Sequence, residues 1–221
     1  MRAVLLGASG KVGRPILDEL LQRGHHVTAV VRNRSRLPAE RLGLSITVGD
    51  IFNVTFRKQL RDLVDAAETL LCSVAMRDEA QRGRDERSPV ELMRIAAGTA
   101  APAGARLFTM GGAGSLEVAP GVQLVDTPEF PEVARAESLG FRDALVYLRK
   151  SAPEGLDWTM LSPPASIEPG EPRTGRYRVG TDALVTDEQG RSRISAADLA
   201  VAVVDELECP RHLGTRFTVG Y

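Results

Sequence analysis

The chain has 221 residues, of which 43% are hydrophobic and 26% are charged, and its formal net charge is −1. This size and composition predict one globular domain with a large core, and the near-neutral charge argues against a nucleic-acid or membrane-surface partner. The two cysteines have no ligand-like spacing, so neither a disulfide framework nor a metal site is expected. No stretch is long enough to span a membrane, and the N-terminus enters a predicted strand instead of a signal peptide, so we expect a cytoplasmic protein.

The first predicted strand is followed by a glycine turn. Arg2–Leu6 is a short apolar run, and an amphipathic helix is predicted over residues 14–23. Gly7 allows a sharp exit from the strand, Gly10 lets a diphosphate approach the backbone, and Gly13 lets the helix pack close to the sheet. The helix N-terminus offers N–H groups to the phosphates. This pattern predicts a dinucleotide site, with a purely structural turn as the alternative. The predicted phosphate-binding residues are Gly7, Ser9, Gly10, Lys11, Val12 and Gly13.

Three arginines follow the second predicted strand, His26–Val31. They occupy positions 32, 34 and 36, in a stretch of five residues without an acidic side chain. The end of the second strand is where a dinucleotide fold meets the adenosine ribose, and an Asp or Glu there would hold the ribose hydroxyls of NAD(H). A guanidinium suits a phosphate instead. The basic run therefore favours NADP(H) over NAD(H), with Arg32 and Arg34 as binding residues; a solvated loop is the alternative.

The third predicted strand, Leu44–Val48, is followed by an acidic residue. Asp50 at this edge could accept a hydrogen bond from the adenine amino group, and Ile51 could offer an apolar contact to the ring. The alternative is that Asp50 or Asn53 caps the next helix, which the apolar spacing predicts over residues 56–67. The two uses of Asp50 are compatible.

The fourth predicted strand covers residues 68–73 and is almost entirely apolar, as expected of a buried parallel strand. Its exit, residues 73–76, is expected to pass beneath the nicotinamide ribose. Residues 77–87 have mixed charge and no apolar period, which fits either a flap over the cofactor cleft or a solvated loop. Ser88 and Pro89 then mark a helix start, with the serine as N-cap and the proline in the first turn.

The second half of the chain continues the alternation of strand and helix. Residues 105–110 form the fifth predicted strand and lead into a glycine-rich run, 111–116, that would let a flat substrate approach the cofactor. A long loop precedes a predicted helix over residues 132–150, and residues 156–161 form a sixth strand. The last predicted elements are a short strand at 176–179, a helix at 196–207 and a strand at 216–219.

This alternation predicts an α/β protein with a doubly wound parallel sheet. We expect a single domain over residues 1–221, with a small substrate lobe drawn mainly from residues 163–221. The ends of the later strands should surround the nicotinamide and the acceptor. The predicted cofactor-binding residues there are Ser73, Val74, Ala75, Thr109, Met110, Gly111 and Pro163, and the predicted substrate-binding residues are Met76, Gly112, Ala113, Phe130 and Ala165.

The residues that carry a family resemblance extend over nearly the whole chain: 7–13, with the spacing G-x-x-G-x-x-G, 23–32, 49–50, 110–116 and 194–200. On these residues the chain resembles atypical short-chain dehydrogenase/reductases of the NADH-flavin reductase type. It is similar in plan to flavin/biliverdin-IXβ reductases and NmrA-like regulators. The resemblance implies a Rossmann fold that binds a pyridine dinucleotide. It does not fix the substrate, because one fold hosts many functions.

One feature of typical short-chain dehydrogenases is missing. Those enzymes carry a Tyr and a Lys four residues apart on the helix after the fifth strand, where the Tyr transfers a proton. Here the first half of that helix has neither, and Tyr147 and Lys150 stand three residues apart near its end. We therefore interpret Tyr147 as structural. Thr109 and Arg135 are the weak candidates for a catalytic side chain.

The missing pair bears on the choice of acceptor. A flavin or quinone takes hydride into conjugated rings and needs little help with a proton, so catalysis is mainly proximity and orientation. The sequence therefore predicts an NAD(P)H-dependent oxidoreductase with NADP(H) as cofactor and a flavin, quinone or similar flat small molecule as acceptor. The alternatives are a reductase or isomerase of a biosynthetic intermediate, and a non-enzymatic NADP(H)-binding redox sensor. We expect a monomer or a homodimer.

Overall fold

The structure is a computed structural model that describes residues 1–34, 37, 41–76 and 87–221. Within these residues it contains five α-helices and twelve β-strands. The helices are α1 (Gly13–Gln22), α2 (Val54–Asp65), α3 (Pro89–Ala100), α4 (Glu132–Ser151) and α5 (Ala196–Glu208). The strands are β1 (Arg2–Leu6), β2 (His26–Val31), β3 (Leu44–Val48), β4 (Thr69–Cys72), β5 (Arg106–Met110), β6 (Glu117–Ala119), β7 (Val122–Gln123), β8 (Trp158–Ser162), β9 (Ser166–Glu168), β10 (Arg178–Gly180), β11 (Arg193–Ser195) and β12 (Thr215–Gly220).

Eight strands of the described residues form one central sheet, in the order β10-β12-β8-β5-β4-β1-β2-β3. All neighbouring strands are parallel except the edge pair β10 and β12. The order reverses at β1, where Leu6 lies opposite Val30 of β2 on one side and Cys72 of β4 on the other. Open α/β sheets bind ligands outside the carboxyl ends of the strands at such a reversal. The predicted doubly wound fold is confirmed.

Two layers of helices cover the sheet. Successive residues of a strand point to opposite faces, and parallel sheets are buried on both. Val4 and Leu6 of β1 belong to the core cluster that α2, α3 and α4 complete, for example with Leu92 and Leu145. Leu5 belongs to the opposite cluster, which α1 and α5 complete. The apolar runs of the strands therefore reflect burial on both sides.

Side chains cap the helices that begin near the site. Ser88 caps α3 as predicted, because its hydroxyl accepts from the N–H of Glu91 at 3.1 Å. Asn53, and not Asp50, caps α2 by accepting from the N–H of Thr55 at 2.9 Å. Helix α2 therefore begins two residues before the predicted start. The capping residue sets the first turn, whereas the apolar pattern begins later.

The sequence pattern does not predict four short strands of the structure. β6 and β7 form a hairpin, and β9 and β11 form a separate parallel pair. None is longer than three residues, which is too short for an alternating pattern to show. β12 and β10 extend the central sheet and α5 packs against α1, so much of segment 163–221 belongs to the main body. The substrate lobe stays a prediction.

Candidate functional site

Two glycines of the turn after β1 have no room for a side chain. Gly7 has a φ of +80°, a conformation that favours glycine, and a Cβ there would lie 2.2 Å from the carbonyl oxygen of Ser73. A Cβ on Gly13 would lie 2.1 Å from the carbonyl oxygen of Gly7. The first glycine thus brings the turn against the exit of β4, and the last brings α1 against the turn.

Gly10 of the same turn faces outward. Apart from its chain neighbours, a Cβ there would meet one atom of the described residues, the carbonyl oxygen of Gly7 at 3.2 Å, and Gly10 is exposed. In that part of the chain the backbone N–H groups of Lys11 and Val12 donate to no acceptor. The first turn of α1 has no acidic side chain. An open glycine beside unbonded N–H groups at a helix N-terminus suits an anionic diphosphate.

The basic residues after β2 lie at the same edge of the sheet. The N–H of Gly7 donates to the carbonyl of Val30 at 3.3 Å, which joins the ends of β1 and β2. Arg32 and Arg34 follow directly and are exposed. Arg36, the third arginine of the run, lies outside the described residues, as do residues 77–86 of the stretch for which a flap and a solvated loop are the two alternatives. Contact of Arg32 and Arg34 with a 2′-phosphate stays a prediction.

Asp50 is held by two neighbours after the end of β3. One of its carboxylate oxygens accepts from the N–H of Phe52 at 3.0 Å, and the other accepts from Nη1 of Arg87 at 3.0 Å. The Arg87 guanidinium also lies over the Phe52 ring, 5.2 Å from the centroid. Ile51 is 4% exposed, so its side chain offers little surface to an adenine ring. The sequence signals Arg87 only by its place directly before the cap of α3.

The exits of β4, β5 and β8 lie beside the glycine turn, because these strands follow β1 in the sheet. This arrangement brings most of the predicted nicotinamide-side residues to one edge. The N–H of Ser73 donates to Leu6 at 3.0 Å, which ties the exit of β4 to β1. Three residues later, the N–H of Met76 donates to the carboxylate of Glu137 at 2.8 Å. The sequence pattern does not single out Glu137, since helical spacing cannot show which strand exit a side chain reaches.

The glycine-rich run after β5 packs against the rest of the protein. It contains a short 3-10 helix, Ala113–Ser115. A Cβ on Gly111 would lie 2.8 Å from the sulfur of Met160, and one on Gly114 would lie 2.7 Å from the Cβ of Ser138. Internal packing therefore accounts for these two glycines. The sequence led us to expect that these glycines leave room for a flat substrate, but their presence does not require that explanation.

The Thr109 side chain turns into the core instead of toward the cleft. It is completely buried, and its hydroxyl donates to the carbonyl of Met110 at 3.3 Å. Thr109 lies opposite Cys72 in the sheet. Burial raises the pKa of the Cys72 thiol to about 12, although hydrogen bonds from Val74 and Thr109 act in the other direction. The structure thus leaves this catalytic candidate without access to an acceptor.

The second weak catalytic candidate, Arg135, ties a loop to the start of α4. Its Nε donates to Glu132 at 2.8 Å, and its other nitrogens donate to the carbonyls of Val125 and Phe130. The guanidinium also lies over the Phe130 ring, 5.6 Å from the centroid. The Arg135 guanidinium and the predicted substrate residue Phe130 therefore both hold the loop before α4 in place.

Tyr147 packs against α3 instead of reaching the strand exits. The guanidinium of Arg94 lies over its ring, 5.8 Å from the centroid, and the ring joins the core beneath α4. Lys150 is exposed in the last turn of the same helix. The contacts of Tyr147 agree with a structural interpretation of this residue.

Among the other predicted residues, the N–H of Ala165 donates to the hydroxyl of Ser192 at 3.2 Å, so the segment after β8 is tied to the residues before β11.

Across the described residues, the structure shows no helix that is long and apolar enough to cross a membrane. The same residues contain no group of three or more His, Cys, Asp or Glu side chains arranged to hold a metal ion.

A family model described as NAD(P)H-binding matches residues 7–210. The chain belongs to this NAD(P)H-binding family. The match includes the glycine turn, the basic residues after β2 and the exits of β4, β5 and β8. The residues present fit a dinucleotide, because the turn leaves its backbone open at Gly10, where the diphosphate must approach.

Relatives of similar length support the assignment. Protein YwnB of Bacillus subtilis (strain 168) is 37% identical over 223 residues, covering 99% of this chain and 98% of the relative. A solved candidate epimerase from Bacteroides thetaiotaomicron is 35% identical, with a TM-score of 0.88 and coverage of 100% of this chain and 96% of that chain. A solved candidate NADH-flavin reductase from Streptococcus pneumoniae TIGR4 is 30% identical, with a TM-score of 0.83 and coverage of 100% and 99%. The resemblance seen in the sequence is confirmed.

Proposed function

We propose that this member of the NAD(P)H-binding family is a reductase that passes hydride from NADPH to a flavin, a quinone or a similar flat acceptor. The observation that carries the proposal is the position of the two hydroxyl side chains considered as proton donors. Thr109 is buried, and Tyr147 packs under Arg94. An acceptor that takes hydride into conjugated rings is the one that needs least help with a proton.

The chain's own residues then bind and orient. The turn at Gly10 and the N–H groups of Lys11 and Val12 receive the diphosphate, and Arg32 and Arg34 receive the 2′-phosphate. When bound, NADPH supplies the hydride at its nicotinamide ring. The segments after β4, β5 and β8 hold the acceptor against that ring, and such orientation contributes much of the catalysis of a bimolecular step.

The direct test follows the absorbance of reduced nicotinamide with FMN, FAD or a quinone as acceptor. We expect steady oxidation of NADPH with at least one of them, and slower oxidation of NADH. Tyr147→Phe should keep the rate within a few-fold of the parent, because a lost general acid would cost roughly 10²–10⁴-fold. NADPH binding without turnover of any acceptor would favour a redox sensor instead.

A second candidate function is an isomerase or reductase of a biosynthetic intermediate, favoured by the likeness to the candidate epimerase from Bacteroides thetaiotaomicron. An epimerase restores its cofactor in every turnover, so it would retain the dinucleotide and show no net oxidation. Purified protein that carries bound NADP⁺ and ignores flavins and quinones would support this alternative. A cytoplasmic location and a monomer or homodimer stay predictions.

A further inference from the structure

The second and third turns of α4 lie directly on the strand exits that form the proposed acceptor site. A Cβ on Gly112 would lie 3.3 Å from the Cβ of Phe141, and a Cβ on Gly140 would lie 2.8 Å from Cγ of Pro89 at the start of α3. Small residues on both sides thus let α4 approach the exit of β5 and the N-terminus of α3 closely. Side chains at this end of α4 can therefore reach the segments that follow β4 and β5.

Glu137 is such a side chain. Its Oε1 accepts a hydrogen bond from the N–H of Met76 at 2.8 Å, across 61 residues of sequence. Met76 stands four residues beyond the end of β4, where the backbone has left the sheet and the ladder of strand carbonyls no longer continues. A buried N–H without a partner costs about 1–3 kcal/mol, and Met76 is half-buried. The Glu137 carboxylate therefore supplies the hydrogen-bond acceptor that a neighbouring strand would otherwise provide.

The three exit segments supply no charged side chain of their own. The three exit segments, residues 73–76, 110–115 and 163–165, contain only apolar residues, glycine, proline and serine. Arg216, which is 3% exposed, donates to the Ser115 hydroxyl, and its charge is paired with Asp182. Glu137 meets the exit of β4 from α4, through the N–H of Met76. Among the described residues, Glu137 supplies the carboxylate that binds a backbone N–H of the three exit segments.

We propose that Glu137 is a positioning residue for the acceptor. This inference rests on the proposed reductase function. The Glu137 carboxylate holds the Met76 amide and thereby sets the shape of segment 73–76, the exit of β4 that would face the nicotinamide. Misplacing such a wall by about 1 Å can cost on the order of 10²-fold in rate. The role requires a hydrogen-bond acceptor and not a proton, so an amide oxygen in the same place should serve.

The test compares Glu137→Ala and Glu137→Gln with the parent, and uses Glu154→Ala as a control that removes an exposed carboxylate beyond the end of α4. Hydrogen exchange of the Met76 amide is measured first, because it does not depend on activity. We expect Glu137→Ala to speed that exchange by roughly tenfold. Glu137→Gln and Glu154→Ala should exchange within about twofold of the parent, since both keep an acceptor opposite Met76.

Steady-state kinetics with the best acceptor complete the test. Glu137→Ala should lower kcat/KM for the acceptor by roughly tenfold to hundredfold while the Kd for NADPH changes little, and Glu137→Gln should restore both the rate and its pH profile. Equal rates in all variants would overturn the proposal. So would a Glu137→Gln variant as slow as Glu137→Ala with one limb of the pH profile lost, because the carboxyl would then transfer a proton.

Failure of the proposed function can be told apart from failure of this inference. If the parent fails to oxidise NADPH with any of the acceptors, the reductase assignment is wrong, and the role of Glu137 in positioning an acceptor is wrong with it. The exchange of the Met76 amide still decides whether Glu137 holds the exit of β4.

Discussion

At the scale of single residues, the three glycines of the first turn differ in what a side chain would meet. A Cβ on Gly7 or Gly13 would lie only 2.2 or 2.1 Å from backbone atoms of the protein itself, whereas Gly10 faces open space beyond one carbonyl. The same spacing of glycines thus serves two purposes, folding at the two ends of the turn and binding in the middle. Substitutions should separate them.

We expect Gly10→Val to abolish most NADPH binding without unfolding the chain, because its side chain would fill the space that the diphosphate needs. Gly13→Ala is the contrasting variant. Its Cβ would overlap the carbonyl of Gly7, and overpacking of this kind costs about 1–3 kcal/mol of stability. Calorimetric titration and thermal unfolding measure the two effects. An unchanged NADPH affinity in Gly10→Val would contradict the binding role of this residue.

The choice of cofactor is also decided by single residues. Removal of a charge-assisted hydrogen bond costs about 1.5–3 kcal/mol, so Arg32→Ala should weaken NADPH binding by roughly tenfold to hundredfold. Arg34→Ala should have a smaller effect, and NADH affinity should change little because NADH lacks the 2′-phosphate. The measurement is the ratio of the two dissociation constants at fixed ionic strength. A parent without preference for NADPH, or a ratio that Arg32→Ala leaves unmoved, would mean that the basic residues are only a solvated surface.

At the scale of elements, the start of α5 gathers the C-terminal part of the chain. Asp198 is completely buried and accepts from the backbone of Thr174 at 2.8 Å, the backbone of Gly175 at 2.7 Å and the hydroxyl of Tyr221 at 2.6 Å. Burial acts to raise the pKa of Asp198, but hydrogen bonds from Thr174, Tyr221 and Gly175 outweigh it and hold the pKa below its ordinary value. The carboxylate joins α5 to the chain before β10 and to the last residue.

A carboxyl group whose pKa is lowered by folding stabilises the protein above its unfolded pKa of about 3.9 and loses that contribution as the pH falls through the folded value. Asp198→Asn should therefore lower the free energy of unfolding by about 1–3 kcal/mol near neutral pH. The difference from the parent should shrink in acid, below about pH 4. Urea unfolding over a pH series measures it, with exposed Asp62→Asn as the control. A difference that is constant with pH would show that the Asp198 charge is not involved.

Local patterns predict those elements that are long enough to show a period. All five helices and the parallel strands of the sheet follow from apolar spacing and caps, whereas β6, β7, β9 and β11 are too short to show one. Thr109 illustrates a second limit. It lies in a strand that is buried on both faces, so alternation carries no information about which way its side chain points. A helical period likewise cannot identify Glu137 or Arg87, whose partners lie 61 and 37 residues away in the chain.

At the scale of the whole molecule, the C-terminal segment completes the sheet instead of standing apart from it. Phe217 of β12 is buried in the sheet's core and meets Phe108 of β5 edge to face, with ring centroids 6.4 Å apart. Leu199 of α5 packs in the same cluster as Leu5 and Leu17. The part of the chain predicted to supply a substrate lobe thus shares its apolar core with the dinucleotide-binding half.

We therefore expect one cooperative unfolding transition for the whole chain, since neither half can lose its structure without exposing the shared core. Differential scanning calorimetry should give a calorimetric enthalpy equal to the van't Hoff enthalpy. NADPH should move that single transition upward as a unit, by about 2.7 kcal/mol of stability at a concentration one hundred times its Kd. Two transitions, of which NADPH shifts only one, would instead mean that residues 163–221 unfold as a separate lobe. Proteolysis during heating would then cut that segment first, which makes the two outcomes distinguishable on one sample.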